Sequence, residues 1–307
     1  MSALRFTPLS LGASAVVLLA VTSIAQADRP DWVKSYSVTG RPTVHVHTND
    51  GALRVITSDS SEVEFRVRTE GSGFGFGFGD PTITSHQDGD TVELSAQFKG
   101  LGIGFSTLHN TIEVRMPKNA DLQLDTGDGA VELSSLNGNV QIHTSDGSVK
   151  IGQLVGTIDV NTSDGSIEAQ GLKGTVKVHS HDGSVRVAEI DGKCDASSND
   201  GSVKVEGRLD ALNIHTDNGS VKARVANGSS ISSAWHVSSS DGSVEIALPA
   251  DMKANLDVST SDGRIKLNLP VQVQGEMSKS HVSGTLNGGG PPVLIHSSDG
   301  SITISAT

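Results

Sequence analysis

The feature that most constrains this chain is an Asp-Gly turn that returns every 18 residues. It falls at Asp128, Asp146, Asp164, Asp182 and Asp200, and once more at Asn218 with Asn in place of Asp. Each copy reads like Thr144-Ser-Asp-Gly-Ser-Val149 or Thr162-Ser-Asp-Gly-Ser-Ile167. Further copies stand at Asp241, Asp262 and Asp299, after spacings of 23, 21 and 37 residues, and an outlying one stands at Asp50. The last gap is close to two repeats and predicts a degenerate coil around Ser280 to Leu286. Five successive spacings of 18 define a repeat protein, in which each unit buries its apolar side against the next.

Within a copy apolar and polar residues alternate, as in Val140-Gln-Ile142 before the turn and Val149-Lys-Ile151 after it. That period of two is the mark of a strand. Each copy therefore reads strand, Asp-Gly turn, strand, and a bend at a Leu and a Gly such as Leu154 and Gly156. Asp-Gly between alternating strands also signals a hairpin. Hairpins throughout would give one wide sheet, hidden only as a membrane barrel with strands of about 9 to 11 residues and aromatic girdles. Here a half-repeat with its turn is 9 residues and aromatics are 3% of the chain. The expected fold is all-β, a parallel β-solenoid of about 18 residues per coil stacked at about 4.8 Å, preceded by an irregular β cap.

The columns support stacking. Val131, Val149, Ile167, Val185, Val203 and Val221 form one inward ladder, and Leu136, Leu154, Leu172 and Ile190 another. The outward position after the turn reads Glu132, Lys150, Glu168, Arg186, Lys204, Lys222, Glu245, Lys266. Its first four members alternate in sign, so stacked neighbours attract. The lone cysteine, Cys194, falls on a column otherwise held by Val140, Ile158, Val176 and Leu212, which predicts a buried thiol packing as a small hydrophobe.

Both ends depart from the period. Residues 1–27 combine Arg5, an apolar stretch from Leu9 to Ile24 and Ala25-Gln-Ala27, the pattern of a secretory signal peptide. The expected mature chain begins at Asp28, has no transmembrane segment, and carries a charge of −13 once Arg5 is lost from the −12 of the whole. That acidity argues against nucleic acid and anionic lipid as partners. Residues 28–117 are expected to form an amino-terminal β cap or first irregular coils, and residues 118–307 the solenoid of Asp-Gly repeats. Gly73-Phe-Gly-Phe-Gly-Phe-Gly79 and Gly100-Leu-Gly-Ile-Gly-Phe105 suit a paired hairpin with Phe74, Phe76 and Phe78 on one face, a candidate partner-binding patch.

Three sets of residues invite chemistry. Asp128, Asp146, Asp164, Asp182 and Asp200 would stack about 4.8 Å apart along one edge, where calcium could bridge them. A tight turn wants Asp-Gly in any case, since Asp bonds the backbone and Gly supplies positive φ. His47, His143, His179, His215 and His296 each precede the Thr or Ser that opens a turn motif. Their closest imidazoles in the regular section lie two coils, about 9.6 Å, apart, which disfavours a shared zinc ion. An enzyme would need one coil that gathers unique acids, bases or a nucleophile, and none does.

The chain resembles a bacterial family of secreted, adhesin-like β-strand-repeat proteins whose domain has no assigned function. The resemblance rests on Val114-Arg-Met-Pro117 followed by Asp121-Leu-Gln-Leu-Asp-Thr126, the Thr-Ser-Asp-Gly-Ser-Val units, Leu248-Pro249 before Leu256-Asp-Val-Ser-Thr260, and Gly288-Gly-Gly290 before His296-Ser-Ser-Asp-Gly-Ser-Ile302. It implies no catalytic residues, and the uniform repeat without a unique polar cluster makes the expected function that of an exported, non-catalytic, adhesin-like envelope scaffold or binding protein with no cofactor, calcium on the Asp column aside. The expected partner is an envelope or cell-surface protein or polysaccharide. The alternatives are a polysaccharide lyase or hydrolase on a β-helix and a calcium-stabilised surface repeat.

Overall fold

The computed structural model describes residues 31–70, 73–76, 80–99, 103–106, 109–273 and 277–307, so the expected signal peptide lies outside the described residues. The described residues contain strands and turns but no helix, and none of them crosses a membrane as a long apolar helix. The strand pairings decide between hairpin and coil. Val131–Thr144 lies parallel to Val149–Thr162, with Val131 opposite Val149 and Thr144 opposite Thr162. Strands that precede a turn pair with strands that precede a turn, and those that follow pair with those that follow. The protein is therefore a β-solenoid, and the 18-residue period is one trip around it.

The inward columns are buried as their alternation predicts. Val131, Val149, Ile167, Val185, Val203 and Val221 are all 1% exposed. Cys194 sits among them, and burial, helped by the neighbouring Asp195 charge, pushes its thiol up to about 12. At the bend opposite the turn, Gly156, Gly174 and Gly192 have φ of 145°, 129° and 146°, a region that side chains avoid. A Cβ on any one of them would also overlap the carbonyl oxygen of the glycine one coil below.

At both ends stacking order departs from chain order. Thr43–Thr48 and Ala52–Ser58, which carry the Asp50 turn, come before Thr91–Gln97 and His109–Pro117 in the chain. In the stack they lie between those two strands and the coil of Asp128. Likewise Pro292–Ser297 and Ile302–Ala306, which carry the Asp299 turn, insert between the coils of Asp241 and Asp262. The outlying Asp50 copy is thus the direct neighbour of Asp128.

Antiparallel strands close the stack. Glu62–Glu70 lies on His109–Pro117 and Trp32–Ser37 on Glu62–Glu70, while Thr82–Asp88 covers Thr91–Gln97. At the other end His281–Leu286 lies antiparallel on Ala254–Thr260. The segment expected as a degenerate coil is therefore a capping strand. The reason is local: it lacks the turn motif, and Asn287, Gly288 and Gly289, at φ 49°, 86° and 86°, reverse the chain instead. Such strands cover edges that a solenoid otherwise offers to other chains; Ile265–Asn268 pairs, among the described strands, with Ile302–Ala306 alone.

Candidate binding surface

The turn is built by its first residue. Thr144 Oγ1 donates to the Gly127 carbonyl of the coil below (3.0 Å) and accepts from the Gly147 N–H of its own turn (3.2 Å). Ser180 and Ser198 likewise accept from Gly183 and Gly201 N–H in their own turns, but donate to a different carbonyl below, that of the turn glycines Gly165 and Gly183, all at 2.9 Å. These hydroxyls are buried, so each closes a turn and ties it to its neighbour at once. The turn glycines Gly147, Gly165 and Gly183 do not have positive φ; a Cβ there would overlap the carbonyl oxygen of the glycine beneath. The sequence alone assigns the turn to the Asp side chain and to positive φ. Only at Asp50, where the carboxylate accepts from Gly51 N–H at 2.6 Å and Gly51 has φ 103°, does that reading describe the turn.

Asp128, Asp146, Asp164, Asp182 and Asp200 are consequently exposed along one edge. Asp200 accepts from the Asn218 amide, and Asp182 lies 3.8 Å from His181. Among the described residues no three His, Cys, Asp or Glu side chains converge as a metal-ligand set.

On the face after the turn the alternating charges extend beyond the regular section. Arg54 stands between Glu113 and Glu132 and reaches Glu132 at 3.1 Å, and Lys222 reaches Glu245 at 3.0 Å. Lys204, flanked by Arg186 and Lys222, turns to Glu206 of its own strand at 2.9 Å. That hydrogen bond holds the Glu206 carboxyl below the usual carboxylate range. Elsewhere burial pushes the Asp121 carboxyl up, but the Asn139 backbone N–H and the Arg41 guanidinium outweigh it and leave it lowered.

The face before the turn is different in character. It carries the expected histidines in one column, and an open trough of about 580 Å³ runs along it past His47, His143, His179 and His181. A smaller recess of about 380 Å³ continues past His45, His86 and Glu93. Thr, Ser and Asn side chains line the trough between the rings.

The Gly-Phe segments pair as an antiparallel two-stranded sheet of their own, Phe74 opposite Phe105 and Phe76 opposite Ile103. Phe78 lies outside the described residues.

A stack of parallel coils, closed by antiparallel strands and bearing long polar faces, defines the class as a capped β-solenoid. The chain belongs to the Toastrack DUF4097 family, whose model matches residues 55–241 and 226–305. No curated protein matches it. Among solved structures it is similar to a candidate cell adhesion protein from Clostridium sporogenes, at 12% identity and a TM-score of 0.26, over 91% of this chain and 99% of that one. It is also similar to a candidate adhesin from Bacteroides fragilis, at 13% identity and a TM-score of 0.34, over 91% of this chain and 98% of that one.

Proposed function

We propose that the protein is an exported, non-catalytic scaffold that binds an extended envelope or cell-surface partner, an adhesin-like role. The observation that carries this reading is the uniformity of the outward columns. Polar residues hold the same outward positions on coil after coil, identical or in alternation, which makes long faces with a regular pitch and, among the described residues, sets no coil apart by a distinct cluster of acids, bases or nucleophiles. Long repeated faces suit multivalent contact with a polymer or a surface. In this reading residues 1–27 direct export, the chain beyond 117 is the binding solenoid, and the Phe74, Phe76 and Phe78 segment is a separate candidate contact.

The test is a binding screen of residues 28–307 against whole cells and envelope polymers, with calcium and with chelator. Retention on a surface polymer at a level that falls when residues 73–79 are deleted would assign the Gly-Phe segment. Retention unchanged by that deletion assigns binding to the coil faces. Failure to bind any surface, or turnover of a polysaccharide that a single Asp substitution abolishes, overturns the scaffold reading. A melting temperature raised by calcium and restored by chelator would establish the calcium ladder.

A further inference from the structure

The strand partners fix which side chains are neighbours in the histidine column. From the amino-terminal end it reads Ser95, His47, Asp125, His143. Through the regular section it continues Asn161, His179, Ser197, His215. At the far end come Ser238, His296 and Ser259, and His281 of the capping strand stands opposite Ser259. Every imidazole is flanked by a short oxygen-bearing residue, and no two imidazoles occupy adjacent coils. Chain order hides this, because along it Ser238 is followed by Ser259 and His47 precedes Ser95. The two coils that stack out of order are the ones that complete the alternation.

Alternation has an electrostatic consequence. Two charged rings one coil apart would repel by about 0.9 kcal/mol in water, and at two coils, about 9.6 Å, by half as much. Alternation therefore halves the repulsion that charged rings on adjacent coils would feel. The rings of His47, His143, His215 and His296 stand exposed, while the short residues between them are half-buried, so the rings project and leave slots floored by hydroxyl, amide or carboxylate groups. Three rings are held the same way. Nδ1 of His179, His215 and His296 bonds the serine hydroxyl of the next coil at 2.9, 2.9 and 3.0 Å, which leaves Nε2 of His179 and His296 on the outer side, while Nε2 of His215 faces Asp217 at 3.2 Å.

The surroundings set the sign of the field. Asp125 stands in the column itself, and Asp159 beside it is paired with Lys177 at 4.0 Å. Asp217 lies 3.2 Å from His215, and Asp182 lies 3.8 Å from His181. Asp195 stands two residues before Ser197, and His236 two before Ser238, on the same face. At the ends Glu93 lies 3.4 Å from His45 and Asp257 3.8 Å from His281. With neutral imidazoles this face is acidic; protonation offsets those carboxylates, and charging all 11 histidines would move the chain from −12 to −1.

We infer that the histidine column is an acid-gated binding face for a linear acidic polysaccharide carrying one acid group per two sugars. The pitch selects the ligand. Two coil spacings have nearly the length of the two-sugar repeat of an extended, equatorially linked polysaccharide, so successive acid groups meet successive rings and the sugars between them lie over the hydroxyl-lined slots. Imidazole as a side-chain class changes charge between pH 5 and 8, which supplies the gate. The inference rests on the scaffold reading and names its ligand.

The test is binding of residues 28–307 to immobilised hyaluronan, one carboxylate per disaccharide, at about pH 5.5 and pH 8, with a neutral β-glucan as control. The wild-type chain is expected to bind hyaluronan roughly tenfold tighter at the acid pH, equivalent to about 1.4 kcal/mol. His143→Ser, His179→Ser and His215→Ser combined place at each position a residue the column already uses, and should abolish the acid binding without altering the far-ultraviolet dichroism. The same three positions changed to Lys should bind at both pH values. Equal affinity at both pH values, unimpaired binding by the folded Ser variant, or equal binding of the neutral glucan overturns the inference. If cells retain the protein while hyaluronan does not, only the ligand assignment falls; if neither does, the scaffold reading falls with it.

Discussion

Between Asp121 and Val225 the order of coils in the stack is the order of the chain, whereas at both ends the two orders part. In the middle each coil offers its neighbours the same carbonyl ladder, a Val or Ile in the same column and a Thr or Ser at the head of the turn, so the next 18 residues find a partner where they emerge. At the ends that uniformity is a hazard, because an end coil exposes an unpaired edge. The solution is the same twice: a coil from elsewhere in the chain is laid inside the stack, and an antiparallel strand closes it. Ile302–Ala306 is held between Val244–Leu248 and Ile265–Asn268, so it cannot fray without stripping a partner from both.

The largest expected effect comes from removing that inserted coil. Deleting residues 288–307 leaves the Asp241 and Asp262 coils facing a gap, and the carboxyl end is expected to unfold or aggregate. Deleting residues 155–172 joins Leu154 to Lys173, the same junction that Leu172 makes with Lys173, and should leave one cooperative transition at a lower melting temperature. Thermal melts and gel filtration of the two variants check this. Equal damage from the two deletions would mean that the ends are no different from the middle.

Glycines sharpen the comparison at smaller cost. Gly165→Ala drives a methyl into the Gly147 carbonyl of the coil below, and a loss of about 3 kcal/mol or more is expected. Gly89 has φ 59° in the amino-terminal cap, and a methyl on it would meet nothing within 4 Å, so Gly89→Ala carries only the conformational penalty of about 1 kcal/mol. Denaturant midpoints of the two variants measure the difference.

The regular middle was legible because period, alternation and inward columns are written into adjacent residues. Coil order was not, since identical units carry no mark of which unit lies on which; Gly300 packs on Gly242 and Asp50 beside Asp128 across long stretches of chain. The turn motif was legible and its mechanism was not. Asp and Gly read as turn formers, yet Thr or Ser binds the turn amide and Gly is needed for the approach of the coil below. The five histidines were visible as a set, but their alternation with Ser, Asp and Asn exists only in the stack.

The turn mechanism yields the next expectation. Thr162 Oγ1 donates to the Ser145 carbonyl at 3.2 Å and accepts from Gly165 N–H at 3.1 Å; Thr162→Val leaves that carbonyl to the Ser163 and Asp164 amides but strands the Gly165 amide, and should cost about 1–3 kcal/mol. Thr162→Ser keeps the hydroxyl, and Ser180 one coil on both accepts from its turn amide and donates to a carbonyl below at 2.9 Å, so this change should be close to neutral. Asp164→Asn alters an exposed side chain and is expected to stay within about 0.5 kcal/mol. A loss at Asp164 as large as that at Thr162 would return the turn to the aspartate.

The smallest effect concerns charge, where the regular section is the less well paired. Lys222 reaches across coils to Glu245, over the first irregular spacing, while Lys204 finds its partner only within its own strand. The Lys204 ammonium lowers the Glu206 carboxyl below its usual value of 4.5 in the folded chain. A carboxyl lowered on folding contributes stability above its unfolded value and loses it as the pH falls through the folded one. Lys204→Met should therefore cost less than about 1 kcal/mol at pH 7, as exposed pairs do, and the gap should close on acidification below about pH 4. Melting curves of both proteins across that range decide it, because a gap that survives protonation of Glu206 would assign the role of Lys204 to packing of its stem along the strand rather than to its charge.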